Sequence, residues 1–98
     1  MYTAISCFTV LPGFEEPVKE AFRNRPKLVE NYPGFIRLDV LSPKENAAEI
    51  WLLTYWDNED KFKEWHRMHL KDSHLDIPKG LKPVPHSFTL RSFNHITS

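Results

Sequence analysis

From Tyr2 to Leu11 apolar and small or polar residues alternate, Ala4, Ser6, Phe8 and Val10 against Thr3, Ile5, Cys7 and Thr9. A period of two with both faces occupied predicts a strand, and Pro12-Gly13 ends it in a turn. From Glu15 the spacing changes: Val18, Ala21, Phe22, Arg25, Leu28, Val29 and Tyr32 follow a helical period, with Pro17 acceptable in the first turn. Pro26 lacks an N–H and crowds the preceding turn, so a kink or restart is expected near Arg25. Tyr32-Pro33-Gly34 closes the helix. Phe35 to Leu41 returns to a period of two, Ile36, Leu38 and Val40 on one face and Arg37 and Asp39 on the other, followed by a polar loop from Ser42 to Asn46.

Glu49 to Trp56 is nearly apolar on both faces, the pattern of a central strand. Asp57 or Asn58 is placed to cap the next helix, with Glu59 and Asp60 in the favourable field of its first turn. Along that helix Phe62, Trp65, His66 and His69 recur at i, i+3, i+4 and i+7, which is one face, and His74 follows after an expected break. A loop rich in Pro and Lys, Ile77 to Pro85, leads to a last strand, Ser87 to Asn94, carrying Phe88, Leu90 and Phe93. The order βαββαβ predicts a ferredoxin-like α+β fold, an antiparallel four-stranded sheet with both helices on one face. The other face of so aromatic a sheet would be a costly apolar patch, so a second copy of the chain is expected to cover it.

Length and charge narrow the field. The 98 residues are expected to form one domain, 1–98, and 41% hydrophobic content suits a folded globule. Thirteen basic residues cancel thirteen acidic ones, which argues against nucleic acid as a partner. No apolar run approaches the roughly 20 residues of a membrane span, and the first residues lack a leader's basic and apolar regions. A cytoplasmic protein without a membrane partner is the expectation. Cys7 is the only cysteine, so no intrachain disulfide can form.

The segment Phe62 to His74 is where chemistry is expected, because neutral imidazole is a common metal ligand and a general base near neutral pH. Taken alone, Trp65 reads more readily as a core aromatic than as a cofactor wall, and His74 as a solvated loop histidine nearly as readily as a ligand. His66, His69 and His74 have the spacing His-x2-His-x4-His, a minor zinc alternative that matches no recognised arrangement. Cys7 reads as a small buried hydrophobe. No Gly-rich phosphate loop, nucleophile elbow, flavin or nicotinamide site is seen.

Arg25-Pro-Lys-Leu-Val-Glu-Asn-Tyr-Pro-Gly-Phe35 and Trp51-Leu-Leu-Thr-Tyr-Trp-Asp-Asn-Glu-Asp-Lys-Phe-Lys-Glu-Trp65 resemble the antibiotic-biosynthesis-monooxygenase superfamily of dimeric α+β barrels, over Met1 to Phe93. Within it, Trp65 followed nine residues later by His74 is similar to the haem-degrading monooxygenases of the IsdG type. The resemblance implies a homodimer that uses haem as substrate and cofactor, opening the macrocycle and freeing iron with O2 and an external electron donor. It implies His74 as ligand of the haem iron, Trp65 as the wall that presses the porphyrin out of plane, and a pocket between sheet and helix. Phe22, Phe62 and Met68 are the candidate lining. The asparagine that this branch carries on the first strand is absent: with the Val10-Leu-Pro-Gly13 turn matched, Ser6 takes its place, and Cys7 lies one register away. Ser6 and Trp65 are thus the expected catalytic pair, Ser6 with a shorter arm and one hydroxyl. The superfamily equally implies a rival, a cofactor-independent monooxygenase acting on a polycyclic phenol or quinol. A non-catalytic dimeric binding module of the same fold is the third reading, for which the missing asparagine speaks.

Overall fold

A computed structural model describes residues 1–25, 31–71 and 81–98, the stretch 68–71 by its backbone. The alternating segments become β1 (Tyr2–Thr9), β2 (Phe35–Leu41), β3 (Glu49–Trp56) and β4 (Thr89–Asn94), and the helical spacings become α1 (Glu15–Arg23) and α2 (Glu59–Lys71). The strands pair antiparallel in the order β2-β3-β1-β4, which is the ferredoxin-like α+β plan the patterning predicts. Apolar on both faces, β3 takes an inner position beside β1.

The first strand ends at Thr9 rather than Leu11, and further features differ from the sequence reading. The first helix stops at Arg23, where the Asn24 side-chain amide donates to the Glu20 carbonyl at 3.1 Å; the chain is already out of the helix at Arg25, near which a kink or restart is expected, and residues 26–30, where a restart would come, lie outside the described residues. The last strand begins at Thr89 rather than Ser87, because the Ser87 hydroxyl is taken up in a turn, donating to the Val84 carbonyl at 2.7 Å. In β2 a bulge between Phe35 and Arg37 leaves Ile36 as the extra residue. Ile36 is therefore exposed instead of sharing a face with Leu38 and Val40, and Phe35 packs on the core in its place. Of the two cap candidates for α2, Asn58 acts: its Oδ1 accepts the Lys61 N–H at 3.1 Å.

Both helices lie on the sheet face that carries Ala4, Phe8, Ile50, Leu52 and Trp56, and they build two separate clusters there. Under α1, Val18 and Phe22 pack with Phe8, Val10, Ile50 and Leu52. Under α2, Phe62 and Trp65 pack with Tyr2, Ala4 and Trp56. Each large apolar side chain buried this way contributes about 1.5–3 kcal/mol. Trp56 is fully buried and touches Phe35, Trp65 and Phe62 at ring separations of 5.3, 5.6 and 5.8 Å. On the opposite face Trp51, Leu53 and Tyr55 of β3 are only half-buried and Phe93 of β4 is exposed. Gly34 joins β2 to the start of α2: its carbonyl accepts the Asp57 N–H at 2.8 Å, its φ is +87°, and a Cβ there would collide with the stem of Lys61.

Candidate functional site

Between the two clusters the inner strands carry small side chains, Ala4 and Ser6 on β1 and Thr54 on β3, and the sheet surface dips. The resulting cavity, about 330 Å³, is walled by Phe62, Trp65 and His66 of α2, by Phe8, Leu52, Phe88 and Leu90, and by Leu38 and Leu81. A mostly apolar concavity with few polar groups is the usual form of a small-molecule site.

Strand register decides which polar groups reach it. Ser6 pairs with Leu52 on one side and Leu90 on the other and shares the helix-covered face with Ala4 and Phe8. Cys7, one residue on, pairs with Trp51 and faces the other way. Its thiol donates to Glu49 Oε1 at 3.7 Å, and burial, then the Glu49 charge, then that hydrogen bond push its pKa above the usual thiol range. The same carboxylate accepts the Trp51 indole N–H and, at 3.3 Å, the Asn46 amide. A protonated thiol outside the cavity is no candidate for its chemistry.

Trp65 is buried and inclined at 40° to Trp56, which is itself held edge-on by Phe35. The indole wall of the cavity is thus backed by a second indole in the core. Phe62, also buried, sits 5.4 Å from the Tyr2 ring on one side and 5.4 Å from the His66 ring on the other, the imidazole nearly parallel at 22°. Across the cavity Phe8 and Phe88 stack at 4.8 Å.

Of the residues singled out from the sequence, Ser6, Phe62 and Trp65 come together around this cavity. Phe22 does not border it: it is buried against Phe8, 6.4 Å ring to ring, and faces a second cavity of about 340 Å³ beside Lys19, Arg23 and Val40. The side chains of Met68 and His69, and all of His74, lie outside the described residues, so of the three histidines only His66 is placed. Among the described residues no group of three metal-ligating side chains occurs. Sequence reasoning missed Leu38, Leu52, Thr54 and the Phe8–Phe88 stack as lining. The readable signal was the run of small residues on the covered face of β1, flanked by Tyr2 and Phe8.

A ferredoxin-like sheet with a ligand-sized apolar cavity under its second helix defines a class of small α+β proteins. Residues 1–71 match the antibiotic biosynthesis monooxygenase (ABM) family, and the chain belongs to it. Among curated relatives it is similar to the mycobilin-producing haem oxygenase of Mycobacterium tuberculosis, 28% identical over 61 residues, 62% of this chain. The matched stretch spans 58% of that relative's length. The fold is similar to that of the haem degrader MhuD of Mycobacterium tuberculosis with two haems bound in its active site, at a TM-score of 0.83 and 20% identity, covering 100% of this chain and 98% of that one. It is also similar to a variant of SnoaB, a cofactor-independent oxygenase from Streptomyces nogalater, at a TM-score of 0.67 and 16% identity, covering 99% and 94%. At these identities the structural likeness establishes the fold. Among the described residues no helix is long and apolar enough to cross a membrane.

Proposed function

We propose that the chain is a haem-degrading monooxygenase, binding haem between the sheet and α2 and opening the macrocycle with O2 and an external electron donor. The observation that carries this reading is that Ser6 of β1 and Trp65 of α2, far apart in sequence, border one apolar cavity in a fold shared with a haem-bound ABM protein. The lining suits a flat macrocycle: Phe8, Leu52, Phe62, Trp65, Phe88 and Leu90 offer carbon surface, and His66, Ser6, Thr54 and Thr89 are its polar residues. Haem, when bound, supplies both the redox-active iron and the ring to be oxidised.

The protein's share of the work is positioning. Trp65 would be the residue that bears on a bound macrocycle, and its contact with fully buried Trp56 would pass the load into a close-packed core that yields little. Ser6 offers a hydrogen bond from the cavity floor, and Phe62 with the Phe8–Phe88 stack excludes water. His74 would hold the iron as a neutral imidazole and Met68 is the further lining residue expected on α2, while Phe22 buttresses Phe8 from behind. Titrating the protein with ferric haem tests this reading: a Soret band saturating at one haem per chain is expected, abolished or strongly shifted by His74→Ala. Reductant and O2 should then bleach the band with release of chelatable iron.

The rival reading is a cofactor-independent oxygenase of polycyclic phenols or quinols. It is favoured by the fold shared with SnoaB and by a serine where the haem-degrading branch has an asparagine. O2 uptake with a quinol and no Soret band would establish it in place of the haem reading. A stable haem complex that never bleaches would favour a binding module.

A further inference from the structure

Trp65 borders the cavity, and behind it the core continues as a chain of oxidisable rings. The Trp56 indole lies 5.6 Å from Trp65, centre to centre, and the Tyr32 phenol lies 6.2 Å from Trp56 in an edge-on contact. Tyr32 is half-buried, and its hydroxyl donates to Glu64 Oε2 at 3.5 Å. The Glu64 side chain is 44% exposed, and the same oxygen lies 3.7 Å from Lys61 Nζ. Three rings thus lead from the cavity wall through the core to a charged group at the surface.

Tryptophan and tyrosine are the ring side chains that give up one electron most readily, whereas phenylalanine does so only at a far higher potential. Proton acceptors differ along the chain. The Trp56 indole N–H is buried with no hydrogen-bond partner among the described residues, so an oxidised Trp56 has no base to take its proton and stays a strong oxidant of its neighbour. A phenol loses its proton on oxidation, and Tyr32 has the Glu64 carboxylate to receive it. Tyr2 is a poorer end point: its ring meets Phe62 at 5.4 Å, it is buried, and its hydroxyl donates to the neutral Ser92 hydroxyl at 2.6 Å.

We propose that Trp65, Trp56 and Tyr32 form a relay that carries oxidising equivalents out of the cavity to Tyr32, sparing the cavity wall when an oxidant forms there without completing its reaction. This rests on the haem reading, and it requires only that the oxidant form in the cavity that Trp65 borders. A peroxide-derived oxidant takes one electron from Trp65, Trp56 refills Trp65, and Tyr32 refills Trp56. The Tyr32 proton passes to Glu64, leaving a neutral phenoxyl radical and a carboxylic acid. A one-electron reductant in solution, ascorbate or a thiol, returns the electron, and Glu64 returns the proton.

Electron paramagnetic resonance of the haem-loaded chain, mixed with hydrogen peroxide and frozen, is the test, with ring-deuterated tyrosine to assign the signal. Wild type should give a tyrosyl radical that Tyr32→Phe and Trp56→Phe abolish, Glu64→Gln weakens and Tyr2→Phe leaves in place. Tyr32→Phe loses only a half-buried hydroxyl, so it decides the matter should Trp56→Phe fail to fold. Peptide mapping gives a second readout: oxygen incorporation at Trp65 should rise in Tyr32→Phe, because the oxidising equivalent is no longer drawn off. A normal Soret band with no tyrosyl radical, or a radical unchanged in Tyr32→Phe, overturns the relay and leaves the haem reading intact. A wild-type chain without a Soret band overturns both.

Discussion

Ser6 and Cys7 are neighbours on β1 that face opposite sides of the sheet, Ser6 on the cavity floor between Leu52 and Leu90 and Cys7 over Trp51 with its thiol on Glu49. A substitution at one can reach a cavity-bound ligand; the same substitution at the other cannot. Ser6→Asn is expected to speed bleaching of the haem complex about tenfold, which corresponds to about 1.4 kcal/mol of added transition-state stabilisation. Cys7→Asn should leave the rate unchanged. Acceleration by Cys7→Asn, or by neither, would sink the assignment of Ser6.

A homodimer is expected in solution. Trp51, Leu53, Tyr55 and Phe93 leave an incompletely covered apolar face on the side away from the helices. Light scattering should give about twice the 11.6 kDa chain mass, and an interface above about 1,000 Å² should resist salt. Trp51→Glu should yield a monomer or an insoluble chain; a wild-type monomer would remove the barrel.

The two turn glycines should respond differently to alanine. Gly13, at φ +89°, has open space around it, so Gly13→Ala pays only for the left-handed backbone, about 1–2 kcal/mol. Gly34, at φ +87°, has the Lys61 stem where the methyl would go, so Gly34→Ala should cost distinctly more and disturb the β2–α2 junction. Urea denaturation of both variants measures the gap, and equal losses would refute it.

Much of this was legible beforehand. The inner place of β3 follows from its two apolar faces, Asn58 was one of the two cap candidates, and helical spacing put Trp65 on the covered face of α2. The bulge at Ile36 was not, because a period of two cannot encode one extra residue. Pro26 marked a break near Arg25, and the winding stops two residues earlier, at Arg23: an amphipathic pattern says which side would be buried, and chain geometry decides where winding stops. Helical spacing put Phe22 on the covered face of α1, and the structure places it with Phe8 beside the second cavity, since periodicity fixes orientation and not position along the sheet. The cavity belongs to no single residue. It comes from Ala4 pairing with Thr54 and Ser6 with Leu52, a register visible only once the strands are joined.

Alkaline pH should destabilise the fold through Cys7. Burial and Glu49 raise its pKa, so the folded chain holds this proton more tightly than the unfolded chain does. Below the ordinary thiol range, near about 8.5, both states keep the proton and stability is flat. As pH rises beyond it, ionisation is harder in the folded state and stability falls. Between pH 8 and 10 the urea midpoint should drop further in wild type than in Cys7→Ala, with Glu49→Gln intermediate. Parallel curves would rule out the thiol as the cause.

The division of the core into a Phe8–Phe22 half and a Trp56–Trp65 half gives the molecule a seam. Each half is anchored to the same two inner strands, so the sheet is the common spine and the helices are separate lids upon it. Local opening along such a seam takes less free energy than global unfolding, and backbone amides of α2 from Phe62 to Arg67 should exchange with solvent ahead of those of β1 and β3. Whatever fills the cavity becomes a keystone touching both halves, and its binding should register as a rise in melting temperature and slowed exchange at the far end of the sheet, well beyond the residues it touches.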